Sequence, residues 1–253
     1  MTADFDRDIE DPTRPIAVDL RYPGEPLLFA FGGIAGKMAA FPPFEFFRLT
    51  QQLQVNKAYI RDLDRSWYHA GLKGITQDID GTVDYLQGIV HESGTDRLVV
   101  FGSSMGGYAA LLFGALLNAE ATHSFSPHTS LTHYRNVRNR DELKAVPEGY
   151  SSRYFDLNDF MNPSQVSGSG DVHIYYDATN RKDRKHITHL DDDLDLNLHP
   201  FPGGGHNLVK YLKAAGELER VVEASLDGIP YSPRTDIRLR RSLLDRLLGK
   251  KVR

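Results

Sequence analysis

Short apolar segments with strand character alternate with segments of helical periodicity along most of the chain. The strand candidates are residues 15–20, 26–31, 55–60, 97–101, 121–126, 171–176 and 195–201, and the helical candidates are 44–53, 75–90, 105–118 and 208–226. This alternation predicts an α/β fold, in which a mostly parallel central sheet is covered by helices on both faces. In such sheets, functional groups collect where the strands end.

The composition excludes several classes of protein. The 253 residues include no Cys, which excludes disulfide scaffolds, cysteine nucleophiles, zinc fingers and iron–sulfur clusters. With 30 Lys and Arg against 34 Asp and Glu, the net charge is −4, which argues against bulk binding of nucleic acid. No secretory signal is apparent, and the longest apolar run, residues 105–117, is too short to cross a bilayer. We therefore expect a cytoplasmic protein without a membrane span and without a nucleic-acid partner.

Composition also divides the chain into regions. Residues 1–14 are polar and acidic and are expected to form a flexible N-terminal arm. Residues 15–227 contain all strand candidates and form the main domain, with a long polar insert at about 127–170. Residues 228–253 carry eight Lys and Arg against two Asp, with leucines near helical spacing. This basic extension is expected to dock on the same chain or on a second copy, as in a homo-oligomer.

The segment Gly102-Ser103-Ser104-Met105-Gly106 matches the pattern G-x-S-x-G, with Ser104 at its centre. It follows an apolar strand candidate and directly precedes an apolar helix candidate. A serine on such a turn has a strained backbone, and the flanking glycines let neighbouring backbone pass close to it. Ser104 is therefore predicted to be a nucleophile, in preference to an inert serine in a glycine-rich turn.

A serine hydroxyl needs a neighbouring base, itself held by a third group, to act as a nucleophile. Of the ten histidines, only His206 follows three glycines, residues 203–205, at the end of a strand candidate. These glycines would let the loop bring its imidazole over the edge of the sheet. His206 is therefore the predicted base.

With GSSMGG around Ser104, GGGH ending at His206 and an aspartate-rich loop between them, residues 15–227 resemble the α/β-hydrolase superfamily. The resemblance implies an eight-stranded type of sheet and acyl transfer through a serine nucleophile without a cofactor. It also implies that the orienting acid follows the strand that precedes the histidine strand. Asp183 is the favoured acid, and Asp177, at the strand end itself, is the alternative.

The resemblance further implies an oxyanion hole made of two backbone N–H groups. One belongs to Met105, and the other to Gly33 or Ile34 in the loop after the second strand candidate. The His-Gly-Gly pattern common in the family is replaced here by Phe31-Gly32-Gly33, so both residues remain candidates. The polar insert at 127–170 stands where this superfamily commonly has a lid. Its basic side chains either favour a polar or anionic substrate or form a solvated face.

We expect a serine hydrolase that cleaves an ester or thioester of a polar small-molecule or carrier-bound acyl substrate. An acyltransferase or deacylase acting on a sugar or carrier-bound acyl group is one alternative, and a catalytically silent binding module is another. A metal-dependent hydrolase built on Asp183, His186 and His189 is disfavoured, because these positions drift around a helix. Residues 32–38 lack the glycine spacing of both a Walker A loop and a dinucleotide fingerprint.

Overall fold

The structure, a computed structural model, describes residues 4–34, 44–132, 152–161 and 170–234. These residues form one seven-stranded sheet with the spatial order β1-β3-β2-β4-β5-β6-β7. The strands are β1 (Ile16–Asp19), β2 (Leu27–Phe31), β3 (Asn56–Ile60), β4 (Leu98–Ser103), β5 (Ala121–Phe125), β6 (Asp171–Asp177) and β7 (Asn197–Phe201). In this sheet β1 runs antiparallel to β3, and every other neighbouring pair is parallel. The described part of the chain thus has seven strands where the family resemblance implied eight.

Helices cover both faces of the sheet, as the alternating pattern predicts. The α-helices in the described residues are α1 (Phe5–Glu10), α2 (Phe47–Thr50), α3 (Ile79–Ser93), α4 (Met105–Leu116), α5 (Leu157–Phe160), α6 (Arg181–Ile187), α7 (Leu208–Ala214) and α8 (Glu217–Leu226). Phe29 of β2 belongs to a buried cluster that includes α3 and α4, whereas its neighbour Leu28 belongs to a second cluster that includes α1, α7 and α8. None of the described helices has the length and hydrophobicity needed to cross a membrane.

The elements on either side of Ser104 are among the most deeply buried of the protein. All six residues of β4 are buried, because both faces of this central strand are covered. Helix α4 buries eleven of its twelve residues, and Phe113 stacks on Phe31 of β2 with the ring centroids 5.1 Å apart. A helix that is apolar all round requires such burial. Ser104 is therefore held between two tightly packed elements.

Three segments differ from the sequence expectation. The helix expected over 44–53 is confined to α2, and the one expected over 208–226 is two helices separated at Gly216, whose φ is 66°. A flexible arm is expected over 1–14, whereas the structure forms α1 there, with Phe5 and Ile9 buried. The four-residue spacing of these two side chains puts them on one helix face. Because the segment as a whole is acidic and polar, its composition does not reveal these two apolar side chains.

The insert and the basic extension are described only in part. Of the insert at 127–170, residues 133–151 and 162–169 lie outside the described residues, and so does 235–253 of the extension. The described start of the extension contacts Glu217 at the beginning of α8, where Tyr231 donates its hydroxyl to Oε2 at 2.6 Å and Arg234 bonds to Oε1. Glu217 is fully buried, so this part of the extension packs against the main domain.

Candidate active site

Ser104 lies in a sharp turn between β4 and α4. Its φ of 57° and ψ of −115° form a strained conformation for a residue with a side chain. A Cβ atom on Gly102 would lie 1.9 Å from the carbonyl oxygen of Gly106, and one on Gly106 would lie 2.2 Å from the carbonyl oxygen of Phe31. Only glycine fits these contacts, and the tight turn places a half-buried Ser104 at the carboxyl end of β4.

Gly106→Ala is expected to lower the free energy of unfolding by about 3 kcal/mol, because the added methyl group overlaps the Phe31 carbonyl. Gly88, inside α3, is the matched control, since a Cβ there meets nothing within 4 Å. Gly88→Ala is expected to raise the free energy of unfolding by about 0.5–1 kcal/mol through helix propensity. Urea denaturation followed by circular dichroism measures both values. Similar effects of the two substitutions would contradict the close approach at the turn.

Ser104, His206 and Asp183 form a chain of hydrogen bonds at the carboxyl edge of the sheet. The Oγ atom of Ser104 lies 2.8 Å from Nε2 of His206, and Nδ1 of His206 lies 3.1 Å from Oδ1 of Asp183. The Asp183 side chain is 1% exposed and that of His206 is 39% exposed. The structure therefore brings together three residues that sequence reasoning selected, with the carboxylate inside and the imidazole open to solvent.

Asp183 is held at both carboxylate oxygens. Its second oxygen, Oδ2, accepts hydrogen bonds from the Ser126 hydroxyl at 2.8 Å and from the Asp177 backbone N–H at 3.3 Å. It lies in the first turn of α6, where the helix dipole favours a negative charge. These contacts fix the carboxylate in an orientation that suits it to hold an imidazole.

Asp177 lies at the same edge but is bonded elsewhere. Its Oδ1 accepts from the backbone N–H and the hydroxyl of Thr179, each at 2.7 Å. Its Oδ2 accepts from the Gly205 N–H at 2.7 Å. Asp177 thus closes the turn after β6 and ties down the glycine that precedes His206, without a hydrogen bond to the imidazole among the described contacts.

His128 lies beside Ser104 and His206 although no motif in the sequence marks it. Its ring centroid lies 5.2 Å from that of His206 and 4.9 Å from that of Trp67, and it hydrogen-bonds to the backbone of Ser104. Burial, followed by the neighbouring His186 and His206, holds its pKa well below the usual range. His128 follows β5 closely, so its position after a central strand was the available signal.

The predicted oxyanion donors differ in what they contact. Met105 N–H begins α4, directly after Ser104. Gly33 N–H donates to Oε2 of Glu45 at 2.8 Å, a contact with no signal in the sequence. Within the described parts of the chain, neither Met105 N–H nor Ile34 N–H has a hydrogen-bond acceptor. Burial raises the pKa of Glu45 to about 7, while hydrogen bonds from Gly33 and Ser103 act in the opposite direction.

The three residues considered as metal ligands point to separate partners. Asp183 bonds to His206, the Nδ1 atom of His186 accepts from the Thr129 N–H at 3.2 Å, and His189 lies 2.7 Å from Asp156. Among the residues that the structure describes, no three His, Asp or Glu side chains are arranged to hold a metal ion.

A cavity of about 630 Å³ lies near His69, whose Nε2 atom is 3.0 Å from the hydroxyl of Tyr108 in α4. Its charged lining consists of Asp64, Asp78, Asp80 and Lys73. Ser104 and His206 are not part of this lining. The acidic lining gives no support to an anionic substrate in this cavity.

Comparisons with known proteins find similarity at the level of structure. The sequence matches no family model and none of the curated proteins. FphF, a fluorophosphonate-binding serine hydrolase of Staphylococcus aureus, superposes with a TM-score of 0.62 at 14% identity, over 86% of this chain and 95% of that one. The S-formylglutathione hydrolase FrmB of the same organism gives 0.62 at 13% identity, over 86% and 96%. The capsule O-acetyltransferase of Neisseria meningitidis serogroup A gives 0.60 at 18% identity, over 84% and 90%. At these identities the likeness concerns the fold.

Proposed function

The chain has the α/β-hydrolase fold, and we propose that it is a serine hydrolase that cleaves a carboxylic ester or thioester of a polar substrate. The observation that carries the proposal is the hydrogen-bonded chain from Ser104 Oγ through His206 to Asp183, with distances of 2.8 Å and 3.1 Å. A nucleophile, a base and an acid in this geometry match the requirements of acyl transfer.

The reaction proceeds in two halves. Nε2 of His206 accepts the Ser104 hydroxyl proton while Oγ attacks the substrate carbonyl carbon, and Asp183 stabilises the imidazolium that forms. The tetrahedral intermediate collapses, the leaving group takes the proton from His206, and the acyl group remains on Oγ. Water then attacks the acyl-enzyme with His206 again as the base, which releases the carboxylic acid and restores Ser104.

The negative charge on the carbonyl oxygen needs donors beside Ser104. Met105 N–H supplies one, because it is the first amide of α4 and combines a hydrogen bond with the positive end of the helix dipole. The second comes from the loop after β2, from Gly33 or Ile34. Gly33 N–H acts in this way only after it leaves Glu45.

Acyl transfer to a hydroxyl acceptor is the second candidate function. The observation in its favour is the structural likeness to a capsule O-acetyltransferase. The same acyl-enzyme on Ser104 serves both reactions, which differ in whether water or a sugar hydroxyl attacks it. A catalytically silent binding module is disfavoured, because a site without catalytic activity does not need the hydrogen bonds that connect Ser104, His206 and Asp183.

A panel of short-chain oxygen esters and acyl thioesters, with and without an oligosaccharide acceptor, tests the proposal. We expect free carboxylic acid as the product, formed at the same rate with and without the acceptor, because a half-buried serine beside an exposed imidazole admits water. Mass spectrometry of the products distinguishes the outcomes. An acylated oligosaccharide with a matching loss of free acid would favour the transferase, and no turnover of any substrate would favour the binding module.

A further inference from the structure

Glu45 is a carboxylic acid beside the nucleophile that the reaction above leaves unused. Its Oε2 accepts the Gly33 N–H at 2.8 Å, and the Ser103 hydroxyl also hydrogen-bonds to the carboxyl. A Cβ atom placed on Gly33 would lie 3.5 Å from Glu45 Oε2 and 3.8 Å from Ser104 Cβ. The carboxyl group and the nucleophile therefore flank the same glycine.

The charge state of Glu45 affects the oxyanion directly. An ionised carboxylate this close to Ser104 repels the negative charge that develops on the substrate carbonyl oxygen, because a half-buried site screens charge less than bulk water does. A neutral carboxylic acid still accepts the Gly33 N–H through its carbonyl oxygen but adds no negative charge. The two protonation states thus fix the loop in a similar way and differ in their effect on the transition state.

We propose that Glu45 is a positioning residue of the oxyanion hole, which holds the Gly33 peptide in place and supports the reaction only in its neutral form. The inference rests on the proposed function. With Gly33 N–H held by Glu45, the donor that joins Met105 N–H is Ile34 N–H. This choice resolves the alternative that the sequence leaves open in the loop after β2.

The groups around Glu45 determine the pH at which its carboxyl group ionises. Burial raises its pKa to about 7, and the groups that favour ionisation are the Gly33 N–H and the Ser103 hydroxyl, with no cationic side chain of the described residues among them. Tyr68 interacts electrostatically with Glu45, and burial raises the pKa of its phenol, which keeps it neutral. The hydrogen-bonded pair of His206 and Asp183 lies on the other side of Ser104. Because the folded pKa is raised, the neutral form prevails below about pH 7 and is lost as the pH rises through that value.

The test compares Glu45→Gln with the wild type in kcat/KM for a short-chain p-nitrophenyl ester, measured from acid to alkaline pH. Glutamine keeps a carbonyl acceptor for the Gly33 N–H but cannot ionise. We expect the wild type to lose activity as the pH rises above about 7, and Glu45→Gln to lack this loss and to be about tenfold more active at high pH. Glu25→Gln, the same change at an exposed turn, is expected to retain the wild-type profile.

A second variant tests the positioning role. Glu45→Ala removes the acceptor and is expected to lower kcat about tenfold below pH 7, with KM little changed, because a loosened Gly33 peptide affects the transition state. Above pH 7 the difference from the wild type is expected to shrink, because alanine also removes the repelling charge. A wild-type alkaline loss that persists in Glu45→Gln, or a Glu45→Ala with normal kcat below pH 7, would overturn the inference while leaving the serine mechanism intact. An inactive wild type would overturn both.

Discussion

Replacing Ser104 with alanine is expected to lower kcat/KM for a short-chain p-nitrophenyl ester by about 10⁴-fold. Oγ of Ser104 is the atom that forms the acyl-enzyme, and alanine removes it together with the 2.8 Å contact to His206. The Cβ atom remains, so the strained backbone at φ 57° is unchanged and the protein is expected to fold normally. Steady-state kinetics and a thermal melt on the same preparation measure the two effects.

Ser232→Ala is the matched control for this substitution. Ser232 is exposed in the described start of the basic extension, and its loss is expected to leave kcat/KM unchanged. A folded Ser104→Ala protein with more than about a tenth of the wild-type activity would mean that another group is the nucleophile.

Asp183→Asn is expected to lower kcat/KM by about 10³-fold, because an amide at this position no longer stabilises the imidazolium and can favour the wrong tautomer of His206. The carboxylate is buried, so solvent does not replace it. The same steady-state assay measures this loss, and a near-neutral effect would contradict the role of Asp183 as the orienting acid.

Asp177→Asn is the informative comparison, since Asp177 is an equally buried aspartate on the same edge. It binds Thr179 and the Gly205 N–H, so its loss is expected to cost about 1–3 kcal/mol of unfolding free energy and to reduce kcat/KM no more than about tenfold. If Asp177→Asn were the more damaging of the two to activity, Asp177 would be the catalytic acid.

The parts of the site that depend on local backbone sterics are predictable from the sequence. The turn at Ser104 is one, because the close contacts of Gly102 and Gly106 allow no side chain, and the sequence pattern records that requirement. The loop at His206 is another, since glycines before a histidine at a strand end allow the approach to Ser104. Asp183 follows from the order of the strands together with the family resemblance.

The parts that depend on which strands lie side by side in the sheet, and in which register, are not predictable in the same way. Glu45 and His128 are 59 and 24 residues from Ser104 along the chain, and neither belongs to a motif. Glu45 lies near Ser104 because β2 pairs with β4 in parallel, with Phe31 opposite Gly102. His128 approaches because β5 lies on the other side of β4, with Phe125 opposite Ser103. The pairing and register of these strands are visible only in the three-dimensional structure.

The prediction of helix boundaries from the sequence is inaccurate for a related reason. The apolar positions of α7 and α8 stay nearly in phase, so a single helix is expected over 208–226. Gly216, with a φ of 66°, breaks it after Ala214, and Glu217 then begins α8 with its carboxylate buried against Arg220, Tyr231 and Arg234. The break coincides with tertiary contacts of Glu217, and hydrophobic periodicity does not record such contacts.

Intact-mass measurement after incubation with a fluorophosphonate probe tests the central claim, that Ser104 is an activated nucleophile, most directly. The Oγ atom of an activated serine attacks the phosphorus and displaces fluoride, and no substrate needs to be known. The wild type is expected to gain a single adduct, and Ser104→Ala is expected to gain none. A folded wild type that reacts with neither this probe nor a smaller sulfonyl fluoride would contradict the serine mechanism.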